Sequence, residues 1–143
     1  MYRRILVAVE HSRADDTILA HVATLAHMTG ASLLLVHVAD GWAARHYHDL
    51  HLRESEEMHD DREYLAKLAD ALRASGLTVD TRLAMGDPAS ELIRIAETEP
   101  VDLIAMSTHG HRFFGDLVHG ATVDRVRHCV RVPVLLLRAQ AQP

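Results

Sequence analysis

With one cysteine in 143 residues, the chain cannot close an internal disulfide, so its fold must rest on an apolar core. It also lacks any continuous apolar run near the roughly 20 residues needed to cross a bilayer as a helix. The first residues, Met1-Tyr2-Arg3-Arg4, lead straight into Ile5-Leu6-Val7 without the apolar region and small-residue cleavage site of a secretory signal. These absences set the expectation of a cytoplasmic protein with no membrane partner. Basic excess is missing as well: 15 Lys and Arg stand against 20 Asp and Glu, for a formal charge of -5. Nothing therefore draws the chain to nucleic acid. No G-x-x-x-x-G-K-[ST] sequence occurs.

What is present is a 48% hydrophobic chain of a length that suits one domain with a proper core. Twelve histidines would carry the formal charge from -5 to +7 if all were protonated, which makes net charge steeply pH-dependent near the ordinary histidine value of about 6.5. Cys129 lies in the helical pattern Val123, Val126, Cys129, Val130 and is expected as a buried, inert thiol.

Strand and helix signals alternate regularly. Arg4 to Glu10 reads as a strand, and Ser12 caps a helical pattern through Ile18, Leu19, Val22, Leu25 and Ala26 that Gly30 stops. Ser32 to Val38 is nearly continuous in Leu and Val, as a parallel strand buried on both faces requires. A long polar helix from Asp49 to Ser75, stopped by Gly76, turns Leu65, Leu68, Ala69 and Leu72 inward. Val79 to Met85 alternates and reads as a half-exposed edge strand. Gly86-Asp87-Pro88 is a turn, an N-cap and a helix-opening proline, and the helix they open carries Leu92, Ile93 and Ala96 as far as Glu99-Pro100. Val101 to Met106 and Val132 to Leu137 are the last two strands. Residues 1–138 form the single domain, and 139–143 form a disordered tail.

Five strands separated by helices specify a doubly wound α/β fold: a parallel five-stranded sheet of order 3-2-1-4-5, Rossmann-like, with right-handed crossovers and helices on both faces. Ligands of such sheets bind beyond the carboxyl ends of the first and fourth strands, where the winding reverses. Ser107-Thr108-His109-Gly110 leaves the fourth strand there and is followed, nine residues later, by Gly120-Ala121-Thr122. Two glycines that allow close backbone approach, the hydroxyls of Ser107, Thr108 and Thr122, and a helix beginning near Gly120 together make an anion cradle.

These residues resemble the universal stress protein family over essentially the whole chain. The resemblance is carried by Ile5-Leu6-Val7-Ala8-Val9, His37-Val38, Gly86-Asp87-Pro88, Val101-Asp102-Leu103-Ile104 and the run from Met106 through Val123 to Pro133-Val134-Leu135. Nucleotide-binding members share glycine, two residues, glycine, nine residues, glycine, then serine or threonine. Gly110 and Gly120 match the second and third glycines, whereas Ser107 stands at the first and Ala121 at the hydroxyl position. Glu10 occupies the place of an aspartate that faces phosphates or their metal. The resemblance implies an adenine nucleotide, ATP with Mg or else AMP or ADP. It places Ala8, Val9, Val38 and Met106 around base and ribose, and Gly110, Gly120, Ala121 and Thr122 at phosphates. Glu10 would be a ligand of the magnesium that enters with the nucleotide.

His111 and Arg112, positive groups inside the loop, are natural further phosphate partners. Core packing accounts equally for Val38 and Met106, and a solvated loop charge for Arg112. Glu10, His11 and His109 are the only candidates for a base, and none sits in a recognisable catalytic motif, so at most slow hydrolysis is expected. The expected role is a nucleotide-responsive stress or signalling module whose occupancy is read by a regulatory protein partner. Two alternatives belong to other classes. His46, His48, His51 and Glu54 could converge on a metal, or could be an exposed polar segment rich in histidine. A ligand-free module could dimerise through the apolar fifth strand, an edge that invites pairing with another copy; Pro133, without an amide hydrogen, would sit at that strand's start.

Overall fold

A computed structural model describes residues 1–39, 56–108 and 116–140. The expectations for the His46, His48, His51 and Glu54 segment and for His109, Gly110, His111 and Arg112 lie outside the described residues. In chain order the elements are β1 (Arg4–Ala8), α1 (Ala14–Thr29), β2 (Ser32–Ala39), α2 (Glu56–Ala74), β3 (Val79–Met85), α3 (Pro88–Thr98), β4 (Leu103–Thr108), α4 (Asp116–Cys129) and β5 (Val134–Arg138). The sheet is parallel and ordered β3-β2-β1-β4-β5. Among the described residues, then, five parallel strands and four helices form the Rossmann-like arrangement that the alternation predicts.

Leu6 at the centre pairs with Leu34 of β2 and Ile104 of β4. Because neighbouring strand residues face opposite sides, the apolar runs divide into two cores. Ile5, Val7, Leu33 and Leu35 pack with Ile18 and Val22 of α1 and Leu65 and Ala69 of α2. Leu6, Leu34, Val36, Ile104 and Met106 pack on the other face with Leu92 and Ile95 of α3 and Val123 and Val126 of α4.

The helix ends follow the chemistry of their residues. Gly30 adopts φ 75°, and its amide and that of Ala31 both donate to the Ala26 carbonyl, the left-handed stop that glycine permits. At the start of α3 the Asp87 carboxylate accepts the Ser90 amide at 3.0 Å and the Ser90 hydroxyl at 2.6 Å. Arg125 of α4 crosses to the same carboxylate at 2.6 Å and to the Ser90 hydroxyl at 3.0 Å, joining two helices that share a face of the sheet.

Several placements differ from the sequence reading: β1 ends at Ala8 rather than Glu10, β4 runs from Leu103 to Thr108 rather than from Val101 to Met106, β5 from Val134 to Arg138 rather than from Val132 to Leu137, and the N-cap of α1 is Arg13 rather than Ser12. The last helix begins at Asp116 and not near Gly120, because nothing in Asp-Leu-Val-His stops a helix and an acidic residue suits its first turn. Cys129 is exposed rather than buried: the inward stripe runs Val123, Val126, Val130, and Cys129 is turned about 100° from its end. Ala139 is buried, and its amide donates to the Thr108 carbonyl at 2.8 Å, within the stretch assigned to a disordered tail.

Asp87→Ala should destabilise the protein by about 1 kcal/mol in urea unfolding, the usual cost of losing an N-cap. The bonds from Ser90, and then Arg125, hold the Asp87 carboxyl down at about 2. Its contribution is therefore complete above the ordinary carboxylate value of about 3.9 and is lost as pH falls through about 2. The variant should show a correspondingly smaller loss of stability than the parent across that acid window.

Candidate functional site

At the carboxyl ends of β1 and β4, where the order of the sheet reverses, a cavity of ≈ 80 Å³ opens between the strands and the helices α3 and α4. It is lined by Ala8, Val9, Glu10, Val36, His37, Val38, Pro88, Leu92, Met106, Ser107 and Thr122. Its walls are mostly apolar, as suits the face of a flat heterocycle, with polar groups confined to a few positions. Of the residues that the sequence reading assigned to the site, Ala8, Val9, Glu10, Val38, Met106, Ser107 and Thr122 meet here. Val36, His37, Pro88 and Leu92 were not foreseen; the proline and leucine come from the first turns of α3, whose cap had been read only as a helix signal.

Gly120 and Ala121 do not line the cavity, and both are exposed. They are the fifth and sixth residues of α4. The amides a helix leaves without an internal partner are its first four, so these belong to residues 116 to 119. The expectation that a helix starting near Gly120 aims its free amides at the loop is corrected accordingly. A Cβ on Gly120 would meet nothing within 4 Å, so close packing does not demand glycine there.

Ser107, at the family's first glycine position, is buried, and its hydroxyl reaches the Ala14 carbonyl of α1 at 3.4 Å. This bond ties the end of β4 to the start of α1. The side chain serves the packing of the cavity floor.

The β1 end of the cavity is held by a carboxylate that the sequence reading missed. Asp15, fully buried in the first turn of α1, accepts the amides of Glu10 at 2.8 Å, His11 at 2.9 Å and Ser12 at 3.3 Å, and the Tyr64 hydroxyl at 2.5 Å. The turn it organises forces His11 into the left-handed region, φ 61°, uncommon for any residue but glycine. In that pose the His11 ring stacks on Tyr64, with centroids 4.0 Å apart and planes 16° apart. Its Nδ1 donates to Asp61 of α2 at 2.7 Å. Asp61 is itself buried, and its other oxygen lies 3.4 Å from His37 Nε2, while His37 Nδ1 donates to the Val9 carbonyl at 2.9 Å. One polar network thus joins the end of β1, the cavity wall on β2 and the first half of α2.

Burial, followed by the hydrogen bond and charge of Asp15, pushes the Tyr64 phenol well above the ordinary tyrosine range. The neutral phenol is the form that donates to Asp15. Its contribution is therefore present below about pH 10 and fades as pH rises through the elevated value. Among the described residues, no group of three or more His, Cys, Asp or Glu is arranged to hold a metal ion, and no helix is long and apolar enough to cross a membrane. Asp15→Ala should cost about 3 kcal/mol or more in urea unfolding, because it strands buried donors. Tyr64→Phe should cost about 1–2 kcal/mol and should abolish the last phase of phenolate absorbance in an alkaline titration.

The fold recurs in known proteins. The model of the universal stress protein family matches residues 1–138. Universal stress protein MJ0577 of Methanocaldococcus jannaschii is 25% identical, over 96% of both chains. The solved structure of the protein MJ0577 superposes with a TM-score of 0.82 at 23% identity, over 99% of each chain. A universal stress protein solved in complex with cAMP gives a TM-score of 0.71 at 16% identity, over 97% of this chain and 98% of that one. One from Archaeoglobus fulgidus in complex with dAMP gives 0.68 at 19%, over 94% of this chain and 97% of that one. The chain belongs to the universal stress protein family.

Proposed function

We propose that this chain binds an adenine nucleotide in the cavity at the ends of β1 and β4 and works as a regulatory module rather than a catalyst. The observation that carries this reading is the cavity itself: a mostly apolar slot at the winding reversal, with Ala8, Val38 and Met106 for a base and Glu10 and Thr122 in its polar lining. The family relatives solved with cAMP and dAMP support it. The phosphates are assigned to the β4–α4 side, with Gly110, His111, Arg112, Gly120, Ala121 and Thr122 as their proposed neighbours. Regulation is the reading taken because no described lining residue belongs to a recognisable catalytic motif. His37 Nδ1 donates to the Val9 carbonyl while Nε2 faces Asp61, and His11 Nδ1 is bonded to Asp61.

The resemblance implies ATP with magnesium. Among the described residues, Glu10 is the one carboxylate lining the cavity, and magnesium held through a single carboxylate needs phosphate and water for its remaining ligands. A cation here would arrive on the nucleotide, since among the described residues no cluster is built to hold it alone.

A homodimer through β5 belongs to the same proposal. The strand closes one side of the sheet, Leu136 is exposed, and Pro133 stands just before the strand, where its missing amide costs no ladder bond.

Freshly purified protein, denatured and examined by mass spectrometry, should release an adenine nucleotide, or the emptied protein should melt higher when AMP or Mg-ATP is added. Absence of both effects would sink the binding proposal. Light scattering at micromolar concentration should give a dimer, and Leu136→Lys should give a monomer of unchanged circular dichroism; a monomeric parent would contradict the β5 interface.

A further inference from the structure

A carbonyl and an ionised carboxylate can only accept hydrogen bonds, and a neutral imidazole has one donor nitrogen and one acceptor. These rules leave a proton to be accounted for at His37. Its Nδ1 faces the Val9 carbonyl at 2.9 Å, so that nitrogen holds a hydrogen. Its Nε2 faces Asp61 Oδ2 at 3.4 Å, and on a neutral ring this would be a lone pair turned toward a carboxylate. The other Asp61 oxygen is taken by His11 Nδ1 at 2.7 Å. Water is poorly placed to separate the two, since the His37 side chain is 13% exposed and that of Asp61 6%. His11 differs: its side chain is 38% exposed, and its bond to Asp61 needs one ring hydrogen, which a neutral ring also has.

We infer that His37 is held as an imidazolium between the Val9 carbonyl and the Asp61 carboxylate, and that its second proton makes a pH-sensitive clasp joining the cavity wall to α2. Among the described residues, few titratable or charged groups face this clasp. The turn after β1 brings His11 to Asp61, and Glu10 to the cavity that His37 also lines. From α1, Asp15 and Asp16 act on Tyr64 of α2, which stacks on His11. Asp60 and Arg62, the chain neighbours of Asp61, are exposed. β3 sets Leu83 beside His37 in register. α3, β4 and α4 give the lining Pro88, Leu92, Met106, Ser107 and Thr122, none of them charged. With the proton bound, β2 and the end of β1 are tied to α2 through one charged pair. Without it, two lone pairs meet in a buried place, and Asp61 keeps only His11 of the two rings. The stabilisation belongs to the protonated ring, so it is present while the proton is bound and is lost as rising pH removes it. Because His37 lines the cavity, the same step alters the cavity wall. The clasp is independent of which ligand the cavity takes.

Nitrogen NMR of isotope-labelled histidine rings in the full, ligand-free chain tests this directly. At neutral pH both nitrogens of His37 should carry hydrogen; a neutral His37 ring there would overturn the inference. Raising the pH until His37 gives up a proton should shift, in the same step, the α2 amides around Asp61 and the methyls of Ala8, Val38 and Met106. A ring titration that those signals do not follow would overturn the clasp, and so would a ring that stays doubly protonated until the protein unfolds. In urea unfolding the parent should lose stability across that step. His37→Gln, which keeps a polar side chain without a titrating ring, should lose the step, whereas His11→Gln should keep it. The opposite pattern would assign the switch to His11 and overturn the role of His37. Should His37→Gln fail to fold by circular dichroism, the parent's ring spectra and His11→Gln decide the matter between them.

Discussion

The end of β1 depends on one buried carboxylate. Taking Asp15 out of water costs several kcal/mol unless its lone pairs are satisfied. The chain satisfies them with three consecutive amides, a phenol and the favourable end of α1. The arrangement is mutual: the amides converge only because the turn is tight, and the turn is tight because the carboxylate draws them in. Glu10 reaches the cavity rim from this turn, and His11 takes up its left-handed pose within it. Without Asp15 the chain between β1 and α1 would have no internal reason to adopt either.

From that turn the two sides of the sheet diverge in character. Toward α3 and α4 lie Val36, Leu92 and Met106, part of one apolar core and also the wall of the cavity. Toward α1 and α2 lie Asp61, Tyr64 and His11, a network satisfied by its own partners. His37 touches both, since it lines the cavity while its ring nitrogens face Val9 and Asp61. A ligand in the cavity would meet an apolar wall on this side. The polar side resists, because moving one member strands the others.

Much of the fold was legible because its causes are local. Runs of Leu and Val mark strands buried on both faces, and Gly30 and Gly86-Asp87-Pro88 carry their helix ends in their own backbone chemistry. The polar network was not legible, because Asp15 and Asp61 meet His11 and Tyr64 across separations of up to 50 residues. A signal did exist: Met58, Asp61, Leu65, Ala69 and Leu72 fall on one stripe of α2, and a carboxylate in register with an apolar stripe must find a partner inside. The extent of α4 was misjudged for the opposite reason. Gly120 was given the weight of a helix boundary, yet a glycine with open space around it and a helical backbone on both sides only weakens a helix.

The departures from the family's glycine pattern then carry unequal weight. Ser107 sits where the missing glycine would be, but its hydroxyl turns to the Ala14 carbonyl and stays buried; it replaces flexibility with a tie between β4 and α1. Ala121 lies exposed on α4, away from the cavity lining, whereas the neighbouring Thr122 is buried and contributes to it. Glu10 matters most, since it keeps the charge of the usual aspartate on a longer stem beside amides that Asp15 already holds. Among the described residues, the arrangement that sets the end of β1 is the turn closed by Asp15, where no motif points.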